Sequence, residues 1–84
     1  PFGSLVELGI IKPGTSIFDP KKKIMAKIMA DGSIKHNQAE GSIHKVAATI
    51  LGAESCNGWT YWHCDVNGKI VPIDSLRQRL ISKS

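Results

Sequence analysis

Hydrophobic and polar residues follow two different periods along this 84-residue chain, and each change of period marks a predicted element. Between residues 16 and 37 the period is two. Ile24, Ala26 and Ile28 alternate there with lysines and methionines, as in a strand that is buried on one face only. Asp31-Gly32 follows as a hairpin turn. We therefore predict a β-hairpin in this region.

The register of this hairpin depends on the length of its loop. A two-residue loop would place Ile34 beside Met29, on the lysine face. A three-residue loop with a left-handed glycine pairs Ile34 with Ile28, on the apolar face. The second register keeps the apolar residues together, so we predict a loop over residues 30–32.

Residues 41–52 show helical periodicity. Ser42 is a suitable N-cap and Gly52 a suitable left-handed C-terminal residue. The inward positions fall at i, i+3, i+4, i+7 and i+8 and are Ile43, Val46, Ala47, Ile50 and Leu51. The predicted solvent face carries His44, Lys45 and Thr49.

Two further helices are predicted at the ends of the chain. The first opens at Ser4, with Glu7 in the capping-box position, and ends near Leu8. The last is capped by Asp74 or Ser75. Its expected inward residues are Ile73, Leu76 and Leu80, and its expected outward residues are Arg79 and Lys83.

An aromatic segment between the central and last helices predicts a second hairpin, with strands over residues 59–66 and 69–71. Alternation puts Trp62 with Cys64 in the core and Trp59 with Tyr61 on the opposite, exposed face. The alternative is that Trp59 packs under the N-terminal helix. The expected fold is a small single α+β domain with the order helix–hairpin–helix–hairpin–helix.

Composition narrows the function classes. A single domain of this size leaves no room for a catalytic domain with a cofactor pocket. The sequence has no apolar run of 18 residues, so no membrane-spanning helix is predicted. Two cysteines are too few for a disulfide scaffold, which favours a reducing cytoplasm. The chain starts at Pro1 without an initiator Met or a signal-peptide pattern, so we expect a fragment of a longer protein.

Candidate metal and nucleophile sites are weak. The zinc-competent side chains show no paired ligand spacing; they are His36, His44, Cys56, His63 and Cys64. Ser42 and His44 could join Asp65 or Asp74 in a triad, but there is no nucleophile elbow. We predict neither a catalytic residue nor a metal site.

The charge of +4, from 11 basic and 7 acidic residues, permits an anionic partner. The helix start at Ser42, with His44 and Lys45, suits a phosphate, because free backbone N–H groups and the helix dipole add to the lysine charge. The alternative is a capped helix with solvated side chains. The lysines of residues 21–23 and Lys27 fit the protection of an edge strand.

Several blocks in order resemble a known family. They are Pro1-Phe2-Gly3, residues 9–15, Ala26 with residues 31–34, Gly41-Ser42-Ile43-His44-Lys45, Cys56-Asn57-Gly58-Trp59-Thr60-Tyr61-Trp62-His63, and Pro72-Ile73-Asp74 with Leu76-Arg77. Over its full length the chain resembles the C-terminal domain of the cell-cycle-regulated bacterial DNA adenine-N6 methyltransferases that modify GANTC sites. More broadly, it resembles the restriction and adenine-methylase-associated domain.

This resemblance implies a DNA-binding accessory domain that helps to engage separated strands at the target. The parent would be a site-specific methyltransferase and homodimer whose upstream domain binds S-adenosylmethionine. This chain has no DPPY motif or glycine-rich cofactor loop and should not methylate by itself. The family's important positions correspond to Ser42, Asn57 and Trp59. With the residues considered above, the expected DNA-binding set is Ser42, His44, Lys45, Asn57, Trp59, Tyr61 and Arg77.

A second function remains open at this point. The face formed by Trp59 and Tyr61 could instead dock on the catalytic domain or on a second protomer. Salt distinguishes the two functions, because phosphate binding weakens steeply with salt and apolar docking hardly at all.

Overall fold

The computed structural model describes the backbone of residues 2–82 and the side chains of residues 2–79. The elements in chain order are α1 (Phe2–Glu7), β1 (Ser16–Phe18), β2 (Met25–Ile28), β3 (Ile34–His36), β4 (Ala39–Gly41), α2 (Ile43–Leu51), α3 (Gly58–Tyr61), β5 (His63–Val66), β6 (Lys69–Pro72) and α4 (Asp74–Ser82). None of the described helices is long and apolar enough to cross a membrane.

The strands form one antiparallel sheet in the order β4-β3-β2-β1-β5-β6. The predicted helix–hairpin–helix–hairpin–helix arrangement is therefore wrong, since a six-stranded sheet with four short helices dominates the domain. β1 lies between the two hairpins, with Ile17 opposite Ala26 and Phe18 opposite His63. Two separate hairpins would leave unpaired backbone groups at their facing edges, and β1 pairs those groups.

The register predicted for the first hairpin is confirmed. Ile28 is paired with Ile34, and Gly32 closes the three-residue loop with a φ of 86°. A Cβ atom at Gly32 would lie 2.9 Å from the Cα atom of Gly3, so this loop packs closely on α1. Glycine is required here by both the backbone conformation and the neighbouring helix.

The core lies on one face of the sheet. Alternate strand residues point into it, and all four helices contribute side chains to the same cluster, so helices cover one side of the sheet only. The buried cluster comprises Phe2, Leu5, Ile11, Ile17, Ala26, Ile28, Ile34, Ile43, Val46, Ala47, Trp59, Trp62, Cys64, Ile73 and Leu76. The other face of β2 and β3 is open to solvent.

The central helix follows the prediction at both ends but not on its whole inner face. Ser42 caps α2, and Gly52 follows it in the left-handed conformation with a φ of 68°. Leu51, expected inside, is 56% exposed, and Ala48 is buried instead. The buried stripe thus runs along one side of a nine-residue helix without reaching its last residue.

The terminal helices agree with the prediction in part. α1 begins at Phe2, before the expected cap Ser4, and Phe2 packs in the core. Ile73, just before α4, and Leu76, within it, are buried as expected, and Arg79 of α4 is exposed as expected. The predictions for Leu80 and Lys83 concern side chains outside the described residues.

Candidate functional site

The start of α2 is built by the block of residues 41–45. Ser42 has extended backbone angles, and its Oγ accepts a hydrogen bond of 3.0 Å from the N–H of Lys45. Gly41 precedes it with a φ of 150°, and a Cβ there would lie 3.1 Å from Cδ of Lys45. The serine hydroxyl therefore stabilises the helix end, while the charged side chain of Lys45 stays exposed.

His44 joins α2 to α3. Its Nδ1 accepts a hydrogen bond of 2.9 Å from the backbone N–H of Gly58, so the neutral ring carries its proton on Nε2. The two helices touch here, since a Cβ at Gly58 would lie 2.6 Å from the carbonyl carbon of Ile43. Only glycine permits this approach.

Trp62 completes the same connection from inside the core. Its ring is fully buried, as predicted, and its Nε1–H donates a 2.9 Å hydrogen bond to the carbonyl oxygen of Ile43. That carbonyl belongs to the first residue of α2. A buried indole N–H thus has its partner and fixes the position of the helix start.

Trp59 lies on the short helix α3 and not on the strand predicted over residues 59–66. Asn57 caps α3: its Oδ1 accepts a 3.0 Å hydrogen bond from the N–H of Trp59, and its carbonyl oxygen accepts one of 3.1 Å from Thr60 Oγ1. These local bonds stabilise a helical turn in place of the first half of the predicted strand. The strand begins only at His63.

The exposed position predicted for Trp59 is wrong, because the side chain is only 7% exposed. Its ring meets Phe2 of α1 edge-on, with centroids 6.1 Å apart and planes at 64°. The guanidinium of Arg77 lies 4.5 Å from the ring centroid, a cation–π contact, and also pairs with Asp74. The structure instead agrees with the alternative, in which Trp59 packs under the N-terminal helix.

Tyr61 is half-buried, and its ring is perpendicular to that of Trp62, with ring centroids 4.9 Å apart. Burial, together with the nearby Asp19 and Cys56, raises the pKa of its phenol. The hydroxyl therefore stays protonated at neutral pH and can serve as a hydrogen-bond donor.

We call the connected set Ser42, Ile43, His44, Asn57, Gly58, Trp59 and Trp62 the α2–α3 junction. His44, Asn57 and Trp62 each hydrogen-bond to a backbone group of another member, and Ser42 accepts its bond from the N–H of Lys45. The sequence analysis did not predict the close approach at Gly58 or the hydrogen bond from the Trp62 indole to Ile43. The preference of Asn for helix N-caps was the available signal for α3.

The exposed Lys45 and the start of α2 offer positive charge to an anionic ligand. A shallow groove of about 410 Å³ lies beside α2, lined by Ser42, His44, Lys45, Thr49 and residues 53–56 among others. Within the described side chains, no three His, Cys, Asp or Glu residues gather around a common point. Burial and the neighbouring Asp65, opposed by Arg79, raise the pKa of the Cys64 thiol, which disfavours the nucleophilic thiolate.

Comparison with known proteins identifies the family. The Restriction Enzyme Adenine Methylase Associated (RAMA) model matches residues 1–84. The chain belongs to this family. It is also 32% identical over 77 residues to the Type II methyltransferase M.HinfI of Haemophilus influenzae. The match covers 92% of this chain but 21% of that protein, so the RAMA domain spans about a fifth of its relative's length.

Three of the blocks by which the chain resembles its family lie close together in this RAMA domain. The block at residues 41–45 and the block at residues 56–63 meet at the α2–α3 junction. Arg77, from the last block, lies over Trp59 at the rim of the same region. Five of the seven expected DNA-binding residues contact another member directly, in the pairs Ser42–Lys45, Asn57–Trp59 and Trp59–Arg77. His44 joins them through Gly58, and Tyr61 through Trp62.

Proposed function

We propose that this RAMA domain is the DNA-binding accessory domain of a site-specific DNA adenine-N6 methyltransferase. The observation that carries the proposal is the family match over the whole chain, supported by the similarity to a methyltransferase. The charge of +4 is consistent with an anionic partner. An adenine must leave the base stack before it can be methylated, and an accessory domain can hold a displaced strand during that step.

The parent protein belongs to the same proposal. We expect an upstream domain that binds S-adenosylmethionine, a GANTC-like target, cell-cycle-linked expression, a homodimeric assembly and a cytoplasmic location. The cofactor is assigned to the parent's catalytic domain, because this chain has no DPPY motif or glycine-rich cofactor loop. Methyl transfer would require both parts of the parent.

Within the domain, Lys45 is the clearest candidate for a direct phosphate contact. It is exposed at the start of α2, where the helix dipole also favours an anion. His44 beside it is exposed, and Tyr61 and Arg77 are half-buried. Asn57 and Trp59 are expected to act by holding α3 against α2, because their polar and aromatic groups already have partners.

A DNA titration of the 84-residue chain, followed by fluorescence anisotropy, tests the proposal. We expect a dissociation constant of about 10⁻⁴–10⁻⁶ M at physiological salt, since only a few phosphate contacts are available. Lys45→Ala should weaken binding to all sequences alike and flatten the log–log salt slope by about one unit. The matched control is Lys69→Ala, an exposed lysine at the start of β6.

Two outcomes would contradict the DNA-binding function. One is the absence of binding to any DNA at low salt. The other is DNA binding that does not change with salt, which would exclude the phosphate contacts on which the proposal rests.

The docking alternative must move from its predicted position, because Trp59 is buried. Exposed apolar residues favour a different surface for it: Leu8 is 62% exposed and Ile10 is 41% exposed. Ile10 also borders a groove of about 500 Å³ between residues 9–12 and β5. Leu8→Ser with Ile10→Ser should disrupt such docking and leave the DNA salt slope unchanged.

A further inference from the structure

The open face of the sheet carries a group of lysines that the proposed function does not use. Lys27 on β2 and Lys35 on β3 are exposed, and Lys23 lies just before β2. The three line one shallow groove of about 400 Å³, together with residues of β1 and the β3–β4 turn. We call Lys23, Lys27 and Lys35 the lysine face.

Protection of a strand edge does not explain these lysines. The sequence suggested that role for residues 21–23 and Lys27, but β2 and β3 are interior strands in the order β4-β3-β2-β1-β5-β6. An interior strand has no free backbone groups for lysine to shield. The edge-protection interpretation is therefore wrong for Lys27, and it cannot be extended to Lys35.

Two of the lysines are placed in an unfavourable arrangement. Lys27 and Lys35 are direct cross-strand partners, and their row continues to Ser16 on one side and Glu40 on the other. Like charges directly opposite each other destabilise a sheet. Glu40 lies directly across from Lys35 on β4 but forms no ion pair with it, since the one ion pair among the described residues is Arg77–Asp74. Lys27, whose other cross-strand partner is Ser16, has no carboxylate directly opposite it. A bound anion would remove this repulsion.

The loop that leads into β2 is ordered by Asp19. Its Oδ1 accepts a 2.7 Å hydrogen bond from the N–H of Ile24, and its backbone forms further turn bonds to Lys22 and Ile24. This carboxylate is therefore engaged inside the loop and faces the backbone, while residues 21–23 stay exposed. The lysines are thus held at fixed positions and do not lie on a loose loop.

Apolar side chains adjoin the charges on the same face. Met25 is 56% exposed, and its cross-strand partner Phe18 is half-buried beneath the ammonium of Lys22, 5.1 Å from the ring centroid. His63 is the partner of Phe18 on β5. Basic residues next to aromatic and apolar groups on an open sheet are typical of surfaces that bind single nucleic-acid strands.

From these observations we infer that the lysine face binds the phosphate backbone of one single DNA strand. This inference rests on the proposed function and adds a second contact surface to it. The helices lie on one side of the sheet and the lysine face on the other. A domain with contacts on both sides could keep a displaced strand away from the strand held at α2.

The test compares two double variants of the 84-residue chain, each of which removes two positive charges. Lys27→Gln/Lys35→Gln changes the lysine face, and Lys12→Gln/Lys69→Gln changes exposed lysines outside it. Binding to a single-stranded oligothymidylate is measured from 20 to 300 mM salt, a range of about one log unit in salt concentration that defines the log–log slope. Thermal unfolding of both variants is followed by circular dichroism.

The lysine-face variant should bind about 20-fold more weakly near 0.1 M salt, with a log–log slope smaller by about 1.4, because each lost contact to a single strand removes about 0.7. Its unfolding midpoint should be unchanged or higher, since the Lys27–Lys35 repulsion is gone. The control pair should change affinity by no more than about threefold, through net charge alone.

The outcomes separate this inference from the proposed function. If Lys45→Ala weakens binding and the lysine-face variant does not, the inference is overturned and the DNA-binding function stands. Equal losses in the two double variants also overturn it. If the unsubstituted chain binds no DNA even at 20 mM salt, the proposed function itself fails, because this concentration is well below the value of about 150 mM in cells. Binding of polyglutamate that depends on the lysine face, with DNA binding unaffected, would assign the face to an acidic protein and overturn the inference.

Discussion

The α2–α3 junction and the lysine face lie on opposite sides of the same sheet, and they use their polar residues in opposite ways. At the junction, Ser42, His44 and Asn57 all bond to backbone N–H groups of the domain. On the lysine face, Lys27 and Lys35 oppose each other and neither forms an ion pair, although Glu40 lies across from Lys35. One region satisfies its polar groups internally, and the other leaves its charge available.

This difference shows how a sequence block can identify a family without marking the contact surface. The family blocks at residues 41–45 and 56–63 meet at the junction, where Gly58 and Trp62 fix the packing of α2 on α3. The lysine face has no such block, and its position follows only from strand order and register. The following predictions test whether the junction is chiefly structural and the lysine face chiefly for binding.

The largest effect is expected at the two tryptophans. Trp62→Ala should cost about 3–5 kcal/mol and unfold so small a domain, since it removes a fully buried ring and its hydrogen bond to Ile43. Trp59→Ala should cost about 3 kcal/mol, because its ring packs against Phe2 and Arg77. Urea unfolding followed by circular dichroism measures both. Native stability in Trp59→Ala would mean that its ring contributes little to the junction.

Gly58→Ala should have the next largest effect and lower the free energy of unfolding by about 1–3 kcal/mol. The new methyl group would lie 2.6 Å from a backbone carbon of Ile43, so α3 must move away from α2. Gly3→Ala in α1 is the matched control: its Cβ would meet nothing within 4 Å, and helix propensity favours it by about 0.5–1 kcal/mol. Equal unfolding midpoints for the two variants would contradict the close approach.

Asn57 tests whether a capping residue also touches DNA. Asn57→Ala should cost about 1 kcal/mol through the lost cap of α3, whereas Asn57→Asp keeps an acceptor for the N–H of Trp59 and should preserve stability. We expect Asn57→Asp to reduce DNA affinity only a few-fold, by the added negative charge. A loss above about 30-fold in the folded Asn57→Asp protein would instead show a direct contact, on the scale of one base contact.

Much of the local structure could be predicted from the sequence. The Ser42 cap, the Gly52 end of α2, the Ile28–Ile34 register and the burial of Trp62 follow from periodicity and turn chemistry, and all are observed. These features depend on residues that are close in sequence, so local rules are sufficient for them.

The errors arose where distant segments compete. The hydrogen bonds of Asn57 converted half of an alternating segment into α3, which turned Trp59 inward onto Phe2, far away in the sequence. β1 has only three residues, and its pairing with β5 depends on the complete sheet. The strand order, and with it the lysine face, could not be obtained from local patterns.

The smallest predicted effect concerns Asp19, which holds the loop beside the lysine face. Its burial opposes ionisation, but hydrogen bonds from backbone N–H groups, chiefly that of Ile24, prevail and lower the pKa of its carboxyl below 3.8. A pKa lowered on folding stabilises the folded state above the unfolded value, and this contribution is lost as pH falls through the folded value. The free energy of unfolding should therefore decrease as pH falls below about 3.8.

Asp19→Asn should show a shallower decrease of this free energy with falling pH. Part of the decrease should remain, because the pKa of Asp31 is also lowered, mainly by Ser33. Urea midpoints between pH 2 and 6, around the usual carboxyl range of about 3.9, measure both proteins. Identical pH profiles would show that Asp19 does not hold the loop through its charge, and the fixed positions of Lys22 and Lys23 would then need another cause.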